Sequence, residues 1–274
     1  MTAAGFRIGI SGWTYPRWRG DFYPAGLAHR LELSYAADRM SSVEINGSFY
    51  SLQRPSSYEH WRKGTPDDFE LAVKGSRYIT HMLRLTGVET ALANFFASGV
   101  LALGAKLGPV LWQLPARQQF DAPLLAAFFS QLPRTTHDAA LLAGRHDEKV
   151  PTDRALVTAE VDRPIRHVLE ARHTSFDTDE AESLLRQNAI GTVWADAAGK
   201  FPVIDRDTSG VRYVRLHGHT ALYASRYASR SLDQWAERCR GWRSAGRDVY
   251  VYFDNDARGR APWDAAALQE RLTG

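Results

Sequence analysis

VEINGSFY, residues 43–50, is a short β-strand pattern whose two faces differ in chemistry. Val43 and Ile45 share one face, and Glu44 and Asn46 share the other, because successive side chains of a strand point to opposite faces. In a (β/α)8 barrel the outward face of each strand meets the helices and is apolar, while the inward face can be polar near the carboxyl end. The stretch therefore fits a barrel strand, provided that the chain supplies seven more.

Eight short apolar runs rich in β-branched residues recur along the chain. They are FRIGISG (6–12), SSVEING (41–47), FELAVKG (69–75), GPVLWQLP (108–115), RHVLEARH (166–173), GTVWAD (191–196), VRYVRLHG (211–218) and DVYVYFDND (248–256). Helical patterns separate most of them, which implies parallel strands joined by crossovers. The sequence therefore predicts an α/β fold, a single (β/α)8 TIM-type barrel. An open doubly wound sheet competes, but SGWTYPRWRG after the first run lacks the GxGxxG pattern expected there.

Two segments depart from this alternation. Residues 76–87, SRYITHMLRLTG, predict a long loop after the third strand, and residues 134–163 predict a surface insertion before the fifth. Because the insertion leads from a helix into a strand, we expect it on the stability face, opposite the carboxyl ends. No interdomain linker is evident, so we expect one domain over residues 1–274.

Composition and charge are typical of a globular protein. Hydrophobic residues make up 44% and charged residues 24% of the chain. No apolar run reaches the about 18 residues that cross a bilayer. We expect no signal peptide before Phe6, no disulfide from the single Cys239, and a cytoplasmic location without a membrane partner. The net charge of +3 permits a polyanionic partner.

Strand alternation predicts a ring of polar side chains at the carboxyl end of the barrel. The inward set comprises Glu44, Asn46, Lys74, Gln113, Glu170, Arg172, Asp196, Arg215, His217 and Asp254. Buried charges persist only when they are paired or bound to a metal. A charge-balanced network that merely fills the mouth would satisfy this rule. We favour a functional pocket, because Val and Leu fill a barrel without the cost of desolvating charges.

We assign roles within this ring and its rim. The predicted catalytic residues are Glu44, Lys74, Glu170, Arg172, Arg215 and His217. The predicted ligand-binding residues are Trp13, Trp18, Asn46, Tyr50, Gln113, Asp196, Asp254 and Asn255. Around Trp13 and Trp18 the first loop also carries Arg17 and Arg19, and the seventh carries Arg226 and Arg230. Aromatic rings beside arginines suit stacking of a base or sugar next to a phosphate, unless the rings pack the loops onto the barrel.

Seven motifs in order, SGWTYPRWRGDFYP, VEINGSFY, ITHMLRL, KLGPVLWQLP, LEARHTSF, YVRLHG and VYVYFDND, resemble the YecE-like family, catalogued as domain of unknown function 72. The resemblance extends from Phe6 to about Leu268 and implies a (β/α)8-type barrel, but it assigns no reaction. A distant similarity of such proteins to endonuclease IV-type barrels implies nucleic-acid binding, by analogy of fold alone. The family form of the second motif has Ser or Thr after the Asn, whereas here Gly47 intervenes.

Three functions are open on these residues. The first is a pocket without metal or cofactor that binds or acts on a phosphate-bearing small molecule or nucleic acid. The second is a metal-dependent enzyme of the endonuclease IV or sugar isomerase type, whose ligands would be Glu44, Glu170, Asp196 and His217, with His173 and His219 nearby. The third is a non-enzymatic small-molecule binder. We favour the first, because Lys74, Arg172 and Arg215 compete with a metal for the carboxylates.

Overall fold

The computed structural model describes residues 5–273, which form a closed barrel of eight parallel strands. The strands are β1 (Phe6–Ser11), β2 (Ser42–Ile45), β3 (Glu70–Lys74), β4 (Leu107–Gln113), β5 (His167–Glu170), β6 (Ile190–Asp196), β7 (Val211–Leu216) and β8 (Asp248–Phe253). Because β1 pairs with both β2 and β8, the sheet closes in chain order and has no free edge. This confirms the predicted (β/α)8 barrel.

The helices, three of which begin at side-chain caps, surround the barrel. They are α1 (Glu32–Ala37), α2 (Gly47–Tyr50), α3 (Pro55–Lys63), α4 (Glu89–Ala97), α5 (Ala122–Ser130), α6 (Thr136–Ala143), α7 (Asp179–Gln187), α8 (Ser229–Ser244) and α9 (Ala261–Thr273). The side chains of Asp121 and Thr178 accept hydrogen bonds from the first turns of α5 and α7. Among residues 5–273, no helix has the length and apolar character needed to cross a bilayer.

The helical pattern over residues 89–107 is split in two. α4 ends at Ala97, and a 3₁₀ segment over Val100–Lys106 leads into β4. Between them, Gly99 has a left-handed φ of 117°, and a Cβ added to it would lie 2.5 Å from Cα of Pro55. Glycine is required there both by the backbone conformation and by the close approach of α3.

Side chains inside the barrel form layers. At the amino ends of the strands, Glu70 accepts hydrogen bonds from Arg7, Arg166 and Tyr250. The next layer is mostly apolar and is formed by Ala72, Leu111, Val168, Val193, Val211, Tyr213, Tyr250 and Tyr252. The carboxyl ends carry the charged residues of the candidate site. The barrel is therefore a filled core that becomes polar again at its mouth.

The segment 134–163 packs along α4 and contributes α6. A capping box between Thr135 and Asp138 starts α6. Asn94 of α4 donates a 2.8 Å hydrogen bond to Asp147, and Nζ of Lys149 lies 5.0 Å from the centroid of the Tyr78 ring. The segment was expected on the stability face alone. Its turn at residues 147–149 instead reaches the loop between β3 and α4, because Asn94 anchors Asp147 beside that loop.

Candidate functional site

The centre of the site is the guanidinium of Arg215, which lies at the carboxyl end of β7 among three carboxylates. Its Nε and Nη2 lie 3.1 Å and 2.9 Å from the two carboxylate oxygens of Glu44. Its Nη1 lies 2.9 Å from Oε2 of Glu170, and its Nη2 lies 3.1 Å from Oδ2 of Asp254. Burial opposes the charge, but Glu44, Glu170 and Asp254 outweigh it and raise the pKa of Arg215 well above its ordinary value.

Glu44 lies in the floor of the site. The hydroxyl of Tyr213 donates to its Oε2 at 2.6 Å, and the hydroxyl of Ser11 donates to its Oε1. Ser11 Oγ also accepts a hydrogen bond from Nδ2 of Asn46 at 2.7 Å. Sequence reasoning missed Tyr213 as a site residue. Its position two residues before Arg215 on the same face of β7 was the available clue.

Glu170 is the second buried carboxylate. Nε2 of Gln113 donates to both of its oxygens at 3.1 Å and 3.0 Å, and Nε of Arg172 donates to Oε1 at 2.6 Å. Burial disfavours its negative charge, but Arg172 and Arg215 prevail and hold the pKa of the carboxyl well below its ordinary value. Glu170 therefore stays ionised and holds the two arginines in place.

His217 lies between the acids of the site. Its Nδ1 is 3.0 Å from Oδ2 of Asp254, and its Nε2 is 3.9 Å from Oε1 of Glu170. The Nδ1 contact is close but poorly aligned for a hydrogen bond. Within residues 5–273, no group of three or more His, Cys, Asp or Glu side chains is arranged to hold a metal ion.

Burial divides the site into two layers. The closed network consists of Glu44, Glu170, Arg215 and His217, each of which is 0% exposed. Above it lies an accessible layer that includes Lys74, Arg172 and Asp254. Lys74 is 7% exposed, and the side chains of Arg172 and Asp254 are 13% and 14% exposed. The closed network therefore positions Lys74, Arg172 and Asp254, which are mostly buried but keep a small exposed fraction.

Lys74 differs from the arginines of the site in having no ionic partner. Its Nζ lies 4.2 Å from the centroid of the Phe49 ring. In the part of the chain that the structure describes, no carboxylate forms an ion pair with it, although Glu44, Glu170 and Asp254 are close enough to influence its charge. Burial, reinforced by the neighbouring Arg215, lowers the pKa of Lys74 to about 8.

His81 is a site residue that sequence reasoning missed. It lies on a π-helical turn, Tyr78–Met82, that follows β3, and its ring centroid is 5.3 Å from that of Phe49. Its Nδ1 is 2.8 Å from Oγ1 of Thr80. The ITHM stretch was predicted only as a long loop, and its histidine was the available clue.

The surroundings of His81 define a positive half of the mouth. Burial, followed by the charges of Lys74, Arg172 and Arg77, lowers the pKa of His81 to about 4. Three cations therefore act on one neutral imidazole at the ends of β3 and β5.

The opposite half of the mouth, beyond β8, is acidic. Burial and the neighbouring Asp254 raise the pKa of the Asp256 carboxyl to about 6. Tyr223 closes this side, with its ring centroid 5.4 Å from that of His217 and a left-handed φ of 60°. Such a backbone conformation is strained for a bulky residue and is concentrated at functional sites. Sequence reasoning assigned neither Asp256 nor Tyr223 to the pocket.

Asp196 does not face the barrel axis, so its predicted orientation is wrong. In β6 the register pairs Ala195 with the inward-facing Arg215 and pairs Asp196 with the outward-facing Leu216. Oδ2 of Asp196 accepts a 3.0 Å hydrogen bond from the hydroxyl of Tyr227. The error arose because both faces of GTVWAD carry apolar residues, so alternation alone does not orient the strand.

Asn255 also lies outside the pocket. Its Nδ2 donates to the carbonyl of Ser225 at 2.9 Å and to Oδ2 of Asp264 at 2.8 Å. These bonds tie the loop after β7 to the first turn of α9. Its role in the described structure is to hold that loop, because it follows the inward-facing Asp254 and points the other way.

The two tryptophans of the first loop differ in exposure. Trp18 is 0% exposed and packs against Tyr15, Phe22 and Tyr23, so it is not available for stacking with a ligand. Trp13 is half-buried and lies edge-on against Trp61, with 5.3 Å between ring centroids. For Trp18 the alternative interpretation, packing of the loop onto the barrel, is the one that the structure supports.

A cleft of about 570 Å³ opens beside the cluster of polar side chains and is lined by Trp13, Asn46, Tyr50 and Trp61 among others. Oδ1 of Asn46 is buried and has no hydrogen-bond partner among residues 5–273. Tyr50 is 69% exposed at the entrance. A ligand with a hydrogen-bond donor could satisfy the Asn46 oxygen from this cleft.

The fold and site define a (β/α)8 barrel with a cluster of charged side chains at the carboxyl ends of its strands. A family model described as "Protein of unknown function DUF72" matches residues 7–274, and the chain belongs to that family. The resemblance drawn from its motifs is thereby confirmed.

Relatives and solved structures agree with this placement. Over 127 residues the chain is 28% identical to UPF0759 protein YecE of Escherichia coli K12, a match that spans 46% of this chain and only 44% of that relative. It is 23% identical to UPF0759 protein YunF of Bacillus subtilis, over 97% of this chain and 94% of that relative. A DUF72 family structure from Thermotoga maritima has a TM-score of 0.78 at 23% identity, covering 98% and 99% of the two chains. These similarities show the family and the fold.

Proposed function

We propose that the mouth of the barrel binds and acts on a small phosphate-bearing ligand, with the phosphate beside Lys74 and Arg172. The supporting observation is that the carboxylates Glu44 and Glu170 lie deeper in the barrel than the cations Lys74 and Arg172. Glu44 and Glu170 are committed to Arg215 inside the closed network. Lys74, for which residues 5–273 provide no ion-pair partner, and Arg172, which pairs with Glu170, lie above them and are partly exposed. An ammonium and a planar guanidinium together suit a phosphate.

The acidic half of the mouth indicates which chemical groups the rest of the ligand carries. Asp254 and Asp256, at the end of β8, offer oxygen acceptors on the side away from Lys74. Oδ1 of Asn46, which has no hydrogen-bond partner among residues 5–273, offers another at the end of β2. Acceptors of this kind bind hydroxyl or amino groups. The arrangement therefore favours a phosphorylated sugar or polyol, in which one end is anionic and the other carries hydrogen-bond donors.

Nucleic acid is less well supported as the phosphate-bearing ligand. Trp18 is buried, and Nε of Arg19 lies 2.7 Å from Oε1 of Glu32, so part of the expected rim is occupied by contacts within the chain. A stacking platform for single strands needs accessible rings along a basic groove. We therefore place the ligand in the mouth rather than along the rim.

Binding of matched compounds tests the proposal. Calorimetric titration would compare ribose 5-phosphate and glycerol 3-phosphate with ribose and glycerol, using the wild type, Arg172→Gln and the rim variant Arg17→Gln. Loss of a charge-assisted hydrogen bond removes about 1.5–3 kcal/mol, so Arg172→Gln should bind the phosphorylated compounds roughly 10- to 100-fold more weakly. Arg17→Gln should bind like the wild type. Equal effects of the two substitutions, or equal binding of both members of each pair, would contradict the proposal.

A further inference from the structure

We propose that Lys74 is a nucleophilic amine that captures the carbonyl group of an aldehyde or ketone ligand as an iminium ion. The inference rests on the ligand pocket proposed above and adds the group of the ligand that reacts. Arg172 keeps the phosphate, while Nζ of Lys74, which contacts the phosphate of a ligand without a carbonyl group, bonds to the carbonyl carbon of a ligand that has one. It assigns to Lys74 a step that neither the family nor the fold specifies.

The first support is that the Lys74 amine is unoccupied. Arg172 and Arg215 are each held by carboxylates, whereas Nζ of Lys74 has no hydrogen-bond or ion-pair partner among residues 5–273 and lies 4.2 Å from the centroid of the Phe49 ring. Lys106 provides the contrast within the same chain. It is almost equally buried, but its Nζ donates to the carbonyls of Arg62 and Thr65 at 2.7 Å and 2.6 Å. A nitrogen that serves no structural hydrogen bond is free to attack a ligand.

The second support is the electrostatic setting of that amine. The nucleophile in carbonyl capture is the neutral amine, which an ordinary lysine supplies only in trace amounts at neutral pH. Burial and Arg215 lower the pKa of Lys74 to about 8. Its neutral fraction near pH 7.5 is therefore on the order of a hundredfold larger than that of an ordinary exposed lysine.

The third support is that the product fits the charge of the pocket. The lone pair of Nζ attacks the carbonyl carbon, a C–N bond forms, and one amine proton moves to the oxygen to give a carbinolamine. A proton from solvent, equivalent to the one that the ammonium released on becoming the neutral amine, protonates that hydroxyl. Water then leaves, and the nitrogen lone pair forms the C=N bond. The iminium carries the single positive charge that the ammonium carried before. Glu44, Glu170 and Asp254 therefore stabilise it as they stabilise the ammonium.

Reductive trapping provides the test. The wild-type protein would be incubated with dihydroxyacetone phosphate and sodium cyanoborohydride, digested with trypsin and mapped by mass spectrometry. The chain has five lysines, Lys63, Lys74, Lys106, Lys149 and Lys200. Alkylation of Lys74 blocks cleavage there and yields the peptide of residues 64–77 with the added mass. We expect labelling of Lys74 to exceed that of every other lysine by about tenfold or more, because its neutral fraction is larger.

A parallel arm with dihydroxyacetone separates this inference from the proposed function. Preferential labelling of Lys74 by the phosphate ester supports both. Equal labelling of Lys74 by the two compounds supports the inference and contradicts the phosphate site. Absence of label at Lys74, or labelling of Lys74 no faster than Lys106, overturns the inference even if phosphate compounds bind. Lys74→Arg keeps the positive charge but cannot form the iminium, so this variant should carry no label at position 74. The comparison of Lys74 with the other lysines in the wild-type protein tests the inference independently of the variant.

Discussion

At the scale of single residues, burial separates side chains that look equivalent in the sequence. Glu44 and Asp254 are both inward-facing acids at the ends of strands, and alternation predicted both positions. Glu44 is fully buried beneath Arg215, whereas Asp254 reaches the mouth. Depth could not be predicted, because it depends on how one guanidinium spans several strands of a closed barrel.

Removing a carboxylate of the closed network should destabilise the protein strongly. Glu170→Ala leaves Arg172 and Arg215 short of a buried partner, and breaking such a pair costs about 3–5 kcal/mol in the free energy of unfolding. Glu59→Ala is the matched control, because Glu59 pairs with Lys63 on the exposed surface of α3. That loss should stay below about 0.5 kcal/mol. Urea denaturation at pH 7 measures both values, and similar losses for the two variants would show that Glu170 is solvated.

The Lys74 amine should also make stability depend on pH in the alkaline range. Its folded pKa is about 8 and its ordinary value is 10.5, so between these pH values the unfolded chain binds more protons. Stability therefore rises with pH across that window, by on the order of 3 kcal/mol. Denaturation of the wild type and Lys74→Met at pH 7 and pH 10 isolates this contribution. If the difference in the free energy of unfolding between the two proteins does not change with pH, the Lys74 amine has an ordinary pKa.

At the scale of elements, the alternation of apolar residues predicted the strands. Failures occurred where local pattern was ambiguous or where tertiary contact prevailed. β6 has apolar residues on both faces, so Asp196 was oriented wrongly. Asp233 lies beyond the first turn of α8, which begins at Ser229, and pairs with Arg271 at 2.7 Å. These contacts join distant parts of the chain and leave no local trace in the sequence.

The break after α4 gives a prediction about glycine. Gly99 and Gly87 both have positive φ, but a Cβ would clash only at Gly99, since nothing lies within 4 Å of one at Gly87. Gly87→Ala should lower the free energy of unfolding by about 1–2 kcal/mol, because of backbone strain alone. Gly99→Ala should cost about 1–3 kcal/mol more, because α3 must also move. Thermal and urea denaturation compare the two, and equal losses would show that Pro55 is not in contact with position 99.

At the scale of the whole molecule, eight strand–helix units were sufficient to predict the barrel, and the closed sheet then placed the ends of distant strands together. The insertion at 134–163 was less predictable. Its position in the chain indicated the stability face, yet Asp147 and Lys149 reach the β3 loop beside the mouth. The separation of the mouth into a basic half and an acidic half also emerges only from the assembled barrel, because its residues come from strands far apart in sequence.

The central claim is that the basic half of the mouth holds the phosphate of a small ligand. A crystal structure of the protein soaked with glycerol 3-phosphate tests this most directly. We predict phosphate density with oxygens within hydrogen-bond distance of both the Arg172 guanidinium and Nζ of Lys74. Phosphate density at the rim arginines Arg17, Arg226 or Arg230, with none beside Lys74 and Arg172, would contradict the account.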